Sequence, residues 1–113
     1  MSSVTSVLLF CDASADKVAL CGLNEQLFRE AGYRLEDVGY LDGWGGSRRP
    51  QWDCWGAGFN YFQPERVVQL VAAAGWKAYG SVRLVVQGEH DVAPGVWAFV
   101  GDAFVPLLPV VRD

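Results

Sequence analysis

"VTSVLLFCDASAD", from Val4 to Asp16, changes character halfway along. Val7-Leu8-Leu9-Phe10-Cys11 is apolar at consecutive positions, so both faces of an extended chain would be greasy. That pattern belongs to a strand inside a sheet rather than at its edge. Asp12-Ala13-Ser14-Ala15-Asp16 then breaks the run as a polar loop.

Helical spacing follows the loop. Leu20, Leu23, Leu27 and Ala31 fall on one stripe, widened by Phe28, with Glu25, Gln26, Arg29 and Glu30 on the other side. Asp16 opens this helix, unless Gly22 breaks it and Asn24 caps a shorter one. Gly32 stands where a left-handed C-terminal cap belongs. A second strand is expected over Tyr33–Leu41, weakened by Gly39. Asp42–Pro50 has turn composition, and Gln51–Phe62 reads as an aromatic strand that Gly56 and Gly58 should bulge or bend.

Pro64 fits the first position of a second helix, with Gln63 as N-cap and Val67, Leu70, Val71 and Ala74 on its apolar face. Gly75 should close that helix and let Trp76 fold back on Val71. Ser81–Gln87 and Val96–Val100 read as a hairpin with a long loop between them, Gly88–Gly95. The apolar tail Phe104–Val111 carries Pro106 and Pro109, which restrict it to an edge strand or an extended arm.

The order β-α-β-β-α-β-β with a tail points to an α+β fold in a single domain spanning residues 1–113. The expected form is a two-layer ferredoxin-like sandwich, a mostly antiparallel sheet with both helices on one face. At 113 residues the chain should bury about two-thirds of its unfolded surface. Helices on one face leave the other face of the sheet apolar and in need of cover, from the tail, a second subunit or a partner.

Several function classes are disfavoured. A net charge of −4 repels phosphate backbones, so nucleic acid is not an expected partner. "MSSVTSVLLFC" lacks a basic n-region, and no stretch reaches the ~18 apolar residues of a membrane span. Cys11, Cys21 and Cys54 are an odd set without a C-x-x-C pair, which fits a reducing compartment; a cytoplasmic protein is the expectation. The spacings of the three cysteines and one histidine match no zinc site, and no motif calls for a cofactor.

Two candidates for small-molecule chemistry remain. His90, in "GEHDVAPG", is the lone histidine, with Glu89 and Asp91 beside it to favour its charged form. Adjacent residues rarely converge on one ion, so a polar hairpin tip is the plainer reading. Asp12 ends an interior strand, where carboxylates often face a crevice, though Asp is also an ordinary turn former. Neither residue assembles a catalytic set.

The stretch from Asp42 to Phe62 holds three of the five tryptophans, five of the thirteen glycines and the pair Arg48-Arg49. Its glycines match neither phosphate-binding spacing. Trp and Arg dominate binding energy at protein interfaces, so Trp44, Arg48, Arg49, Trp52 and Trp55 are the expected partner-binding residues. Roughly half of these aromatics, with Phe59 and Tyr61, should belong to the fold rather than to a partner. Two readings result. One is a non-catalytic acidic module, of inhibitor, immunity or adaptor type, docking on another protein, with electrostatics favouring a basic one. The other is a small-molecule-binding domain or enzyme, a homodimeric α+β barrel with an apolar pocket to which His90, Asp12 or Tyr61 adds polarity.

Overall fold

In a computed structural model, residues 3–38, 53–108 and 111–112 are described. The strands are β1 (Val4–Cys11), β2 (Glu36–Asp37), β3 (Asp53–Asn60), β4 (Arg83–Gly88), β5 (Asp91–Ala93), β6 (Gly95–Val100), β7 (Ala103–Leu108) and β8 (Val111–Arg112). Two α-helices intervene, α1 (Lys17–Ala31) and α2 (Pro64–Ala72), and a 3₁₀ turn covers Tyr79–Ser81. The architecture is α+β. Six strands form one antiparallel sheet in the order β2-β3-β1-β4-β6-β7, and β5 pairs with β8 in a separate ribbon.

β1 lies inside the sheet, between β3 and β4, as its continuous apolar run requires. Its two faces nevertheless differ. Thr5, Val7, Leu9 and Cys11 are buried, whereas Leu8 between them is 42% exposed. The buried set joins Phe59 of β3, Leu84 and Val86 of β4, Leu20, Leu23 and Leu27 of α1, and Val67 and Val71 of α2 in one core. Both helices therefore cover the same face. Across their outer surface the Arg66 guanidinium donates to both carboxylate oxygens of Glu30 at 2.7 Å, a bidentate link from α2 to α1.

Helix ends follow local rules with two changes. Gly32 takes φ +82°, and its N–H donates to the Phe28 carbonyl, closing α1. Gly22 does not break α1, because it lies on the exposed side where no packing is lost. Asp16 precedes α1 without capping it; its carboxylate is spent on the chain after α2, accepting from the N–H groups of Lys77 and Ala78. Pro64 opens α2 as expected. The helix stops at Ala72, ahead of Gly75, and the Trp76 indole N–H donates to the Val71 carbonyl at 2.7 Å. The contact expected to be apolar is thus also a polar cap.

Other expectations need correction. Of the expected strand Tyr33–Leu41, Glu36 and Asp37 pair with β3 and Val38 adds one hydrogen bond to it, while residues 39–41 lie outside the described residues. β3 carries no bulge: its register with β1 is continuous from Val4↔Asn60 to Cys11↔Asp53. Neither Gly56 nor Gly58 has positive φ, so nothing forces a kink there. The irregularity falls instead between Val96 and Trp97, where β6 meets β7. β7 is the edge strand expected of the tail. Pro106 sits within it opposite Trp97, tolerable only with its N–H-less nitrogen turned away from β6. On the helix side, Trp97, Phe99 and Phe104 extend the core as a ring cluster with centroids 4.7 to 5.9 Å apart. No described helix is long and apolar enough to cross a membrane.

Candidate functional site

The residues with surface to offer are those opposite the core. On β1 they are Val4, Ser6, Leu8 and Phe10; pairing places Gly58 across from Ser6, Gly56 across from Leu8, and Cys54 across from Phe10. On the other side Gln87, Val85 and Arg83 of β4 face the same β1 positions. Val38, whose N–H donates to the Cys54 carbonyl, continues the surface beyond β3. Together they form an open sheet face with a groove of ≈ 520 Å³ bounded by Leu8, Val38, Val85 and Pro94.

Two glycines lie on the β3 side of this face, Gly56 lining the groove and Gly58 opposite Ser6, and they differ. A Cβ on Gly56 would come within 3.0 Å of Leu8 Cδ2 and 3.3 Å of the Val7 carbonyl oxygen, so a side chain there would require its neighbours to shift. At Gly58 the nearest atom to such a Cβ is Val4 Cγ1 at 3.5 Å, an ordinary contact, and φ is not positive. A glycine inside a strand costs about 0.5–1 kcal/mol relative to alanine. Neither the backbone nor the neighbours of Gly58 account for that cost. Strand glycines of this kind mark places where another chain or ligand approaches the backbone closely.

The sequence-expected site residues are distributed as follows. Trp44, Arg48, Arg49 and Trp52 lie outside the described residues. Trp55 stands opposite Leu9 and therefore points toward the helices, half-buried against the core. Its indole N–H is buried and has no hydrogen-bond partner among the described residues. Phe59 is fully buried, and Tyr61, at φ 56°, turns out of the strand and is 72% exposed. Of these three aromatics, Trp55 and Phe59 are on the core side and Tyr61 is at the surface. Cys54 and Trp55, adjacent in sequence, sit on opposite faces.

His90 is at the β4–β5 turn with its side chain 79% exposed, and its Nε2 lies 3.9 Å from Glu89. The Asp91 carboxylate accepts the Gly88 N–H at 2.7 Å and shapes the turn. The three border a shallow crevice of ≈ 410 Å³ beside Tyr61 and Pro64. Asp12 accepts from the Ala15 N–H at 3.2 Å, the turn-forming role open to it from sequence. Among the described residues no three His, Cys, Asp or Glu side chains gather in a way that could hold a metal ion.

The thiols are held in their protonated form where the structure acts on them. Burial first, then the Asp53, Asp16 and Asp12 carboxylates, push Cys11 up to about 12. Burial and Asp37 also raise Cys54. A thiol so raised supplies little thiolate at neutral pH, the opposite of what a nucleophile needs. Cys21 is exposed on α1.

No known family, curated protein or solved structure matches this chain. The site is therefore read from its own chemistry. The surface that emerges, centred on Leu8, Gly56, Gly58 and Val85, was anticipated in sequence as an uncovered sheet face but not residue by residue. Its signal was the apolar residue at every position of Val7–Cys11, which one-sided helical cover cannot bury on both sides.

Proposed function

We propose that the chain is a small, non-catalytic protein-binding module whose working surface is the open face of its sheet. The observation that carries this reading is the groove bounded by Leu8, Val38, Gly56 and Val85, apolar at its centre, opposite the core and open among the described residues. Apolar patches of this sort on small domains mark contact sites. The stretch from Trp44 to Trp52 is the second element of the proposal, on composition: in sequence it lies between β2 and β3, and Val38 and Cys54 on either side of it share the open face. Tryptophan and arginine there would supply anchors around an apolar centre.

The order β2-β3-β1-β4, with α1 between β1 and β2 and α2 between β3 and β4, supports a ferredoxin-like layer to which β6 and β7 have been added. A second reading, a small-molecule domain, draws support from the groove volume, which lies in the range of ligand sites. The groove presents few polar groups, Ser6 and Gln87 among them, and so little with which to orient a small ligand.

Immobilised wild-type protein and a Val85→Lys variant, each used to capture partners from native extract, test the proposal. Recovery of a protein by the wild type alone, binding the purified wild type more tightly than the folded variant, supports it. Equal affinity for both would remove the open face from the function.

A further inference from the structure

We infer that the occupant of the open face is a second copy of this chain, packed face to face about a two-fold axis lying along the strands. The pairing presupposes that this face is the docking surface and names what covers it. Charge gives the first reason. Of all the described strand residues turned to this face, two are charged, Glu36 on β2 and Arg83 on β4. A chain of net charge −4 repels its own copies, and an uncharged centre is where two of them meet without apposing like charges. A basic partner, by contrast, would find one acidic residue here, and an arginine across the face from it.

The two charges also sit to suit a two-fold. Glu36 and Arg83 lie on opposite sides of the β3–β1 pair. An axis running between those strands turns the Glu36 side of each copy toward the Arg83 side of the other. Arg83 already donates to the Gly80 and Val82 carbonyls, which fixes its guanidinium near the sheet margin.

Area is the second reason. Apart from the two-residue β2, five strands about 4.8 Å apart and about 20 Å long present roughly 480 Å² of flat surface, so two copies would bury about 1,000 Å², the size at which a small specific interface begins. Gly58 is the third. Its missing side chain, which the monomer does not require, lets the facing copy approach the β3 backbone. Pairing through the edge of the sheet is the alternative route to a dimer, and Pro106 in β7 obstructs it by removing a backbone donor.

Sedimentation equilibrium from about 1 to 100 μM, the weak end of affinity for interfaces of this class, tests the inference together with the labelling rate of Cys54, whose side chain shares the face. A monomer–dimer equilibrium is expected, with Cys54 labelled more slowly as concentration rises while Cys21 on α1 is unaffected. Gly58→Val should weaken association by about tenfold or more with unchanged circular dichroism, a side chain now standing where the partner sits. If Gly58→Val does not fold, the wild-type Cys54 measurement decides by itself. A wild type that stays monomeric overturns the inference, as does a dimer in which Cys54 reacts at the same rate at every concentration. A monomer that still loses a captured partner on Val85→Lys would leave the docking face standing with a different protein on it.

Discussion

The carboxylate of Asp16 holds the backbone N–H groups of Lys77 and Ala78, joining the end of the β1 loop to the chain that leaves α2. Asp16 is only 2% exposed, so both donors would be orphaned if it were lost. Hydrogen bonds to a charged acceptor contribute about 1.5–3 kcal/mol each, and relaxation with water entry reduces the total on removal. Asp16→Ala should therefore cost about 2–4 kcal/mol, lowering the melting temperature by roughly 10–20 °C. Asp16→Asn keeps one acceptor and should fall between. Melting of Asp16→Ala at the wild-type temperature would mean that this link contributes nothing.

The Glu30–Arg66 pair gives a pH dependence. Hydrogen bonds first from Arg66 and then from Gln26 lower the Glu30 carboxyl to about 2 from its ordinary 4.5. Because the folded form binds its proton less readily, the stabilisation is complete above the unfolded value. It fades as pH falls below about 4.3 and is lost as pH passes through the folded value near 2. Arg66→Ala should return Glu30 toward the ordinary carboxylate range in an NMR titration and flatten the acid limb of the stability curve. An unchanged Glu30 titration would contradict the pairing.

Thiol chemistry should separate the cysteines. At mildly alkaline pH a disulfide reagent should modify exposed Cys21 first and Cys54 more slowly, leaving Cys11 to react only on unfolding. Since Cys11 is raised to about 12, the folded state holds a proton that the unfolded state releases near 9; stability should fall as pH climbs through that interval. Cys11→Ala should lose this alkaline slope. Early labelling of Cys11 in the native protein would show that its site is open.

The arginine pair can be tested independently of the sheet face. Arg48→Glu combined with Arg49→Glu should weaken partner binding while leaving the melting temperature nearly unchanged, as surface substitutions do. Undiminished affinity would exclude that stretch from the interface.

Much of the fold was legible because local rules and packing agreed. Val4–Cys11, the Gly32 cap and Pro64 at the start of α2 each had one reading in sequence, and each stands. What escaped were features decided at long range. Asp16 looked like a helix cap because its bond partners lie 61 and 62 residues away. Gly56 and Gly58 looked like a bulge because a missing side chain reads alike whether it frees the backbone or clears a surface. The short β5 was hidden in a loop because its partner, β8, is at the far end of the chain. The candidate site was legible only as a face, since which residues remain uncovered depends on where both helices land.

Leu8 is an apolar side chain in the middle of an interior strand, yet left open at the surface. Leu8→Asp is to be measured for thermal unfolding at low concentration and for association at high concentration. An open contact face predicts a melting temperature shifted by less than about 5 °C, with association abolished. A folded Leu8→Asp that associates as the wild type does would contradict it, and so would a collapse in stability that placed Leu8 in the core.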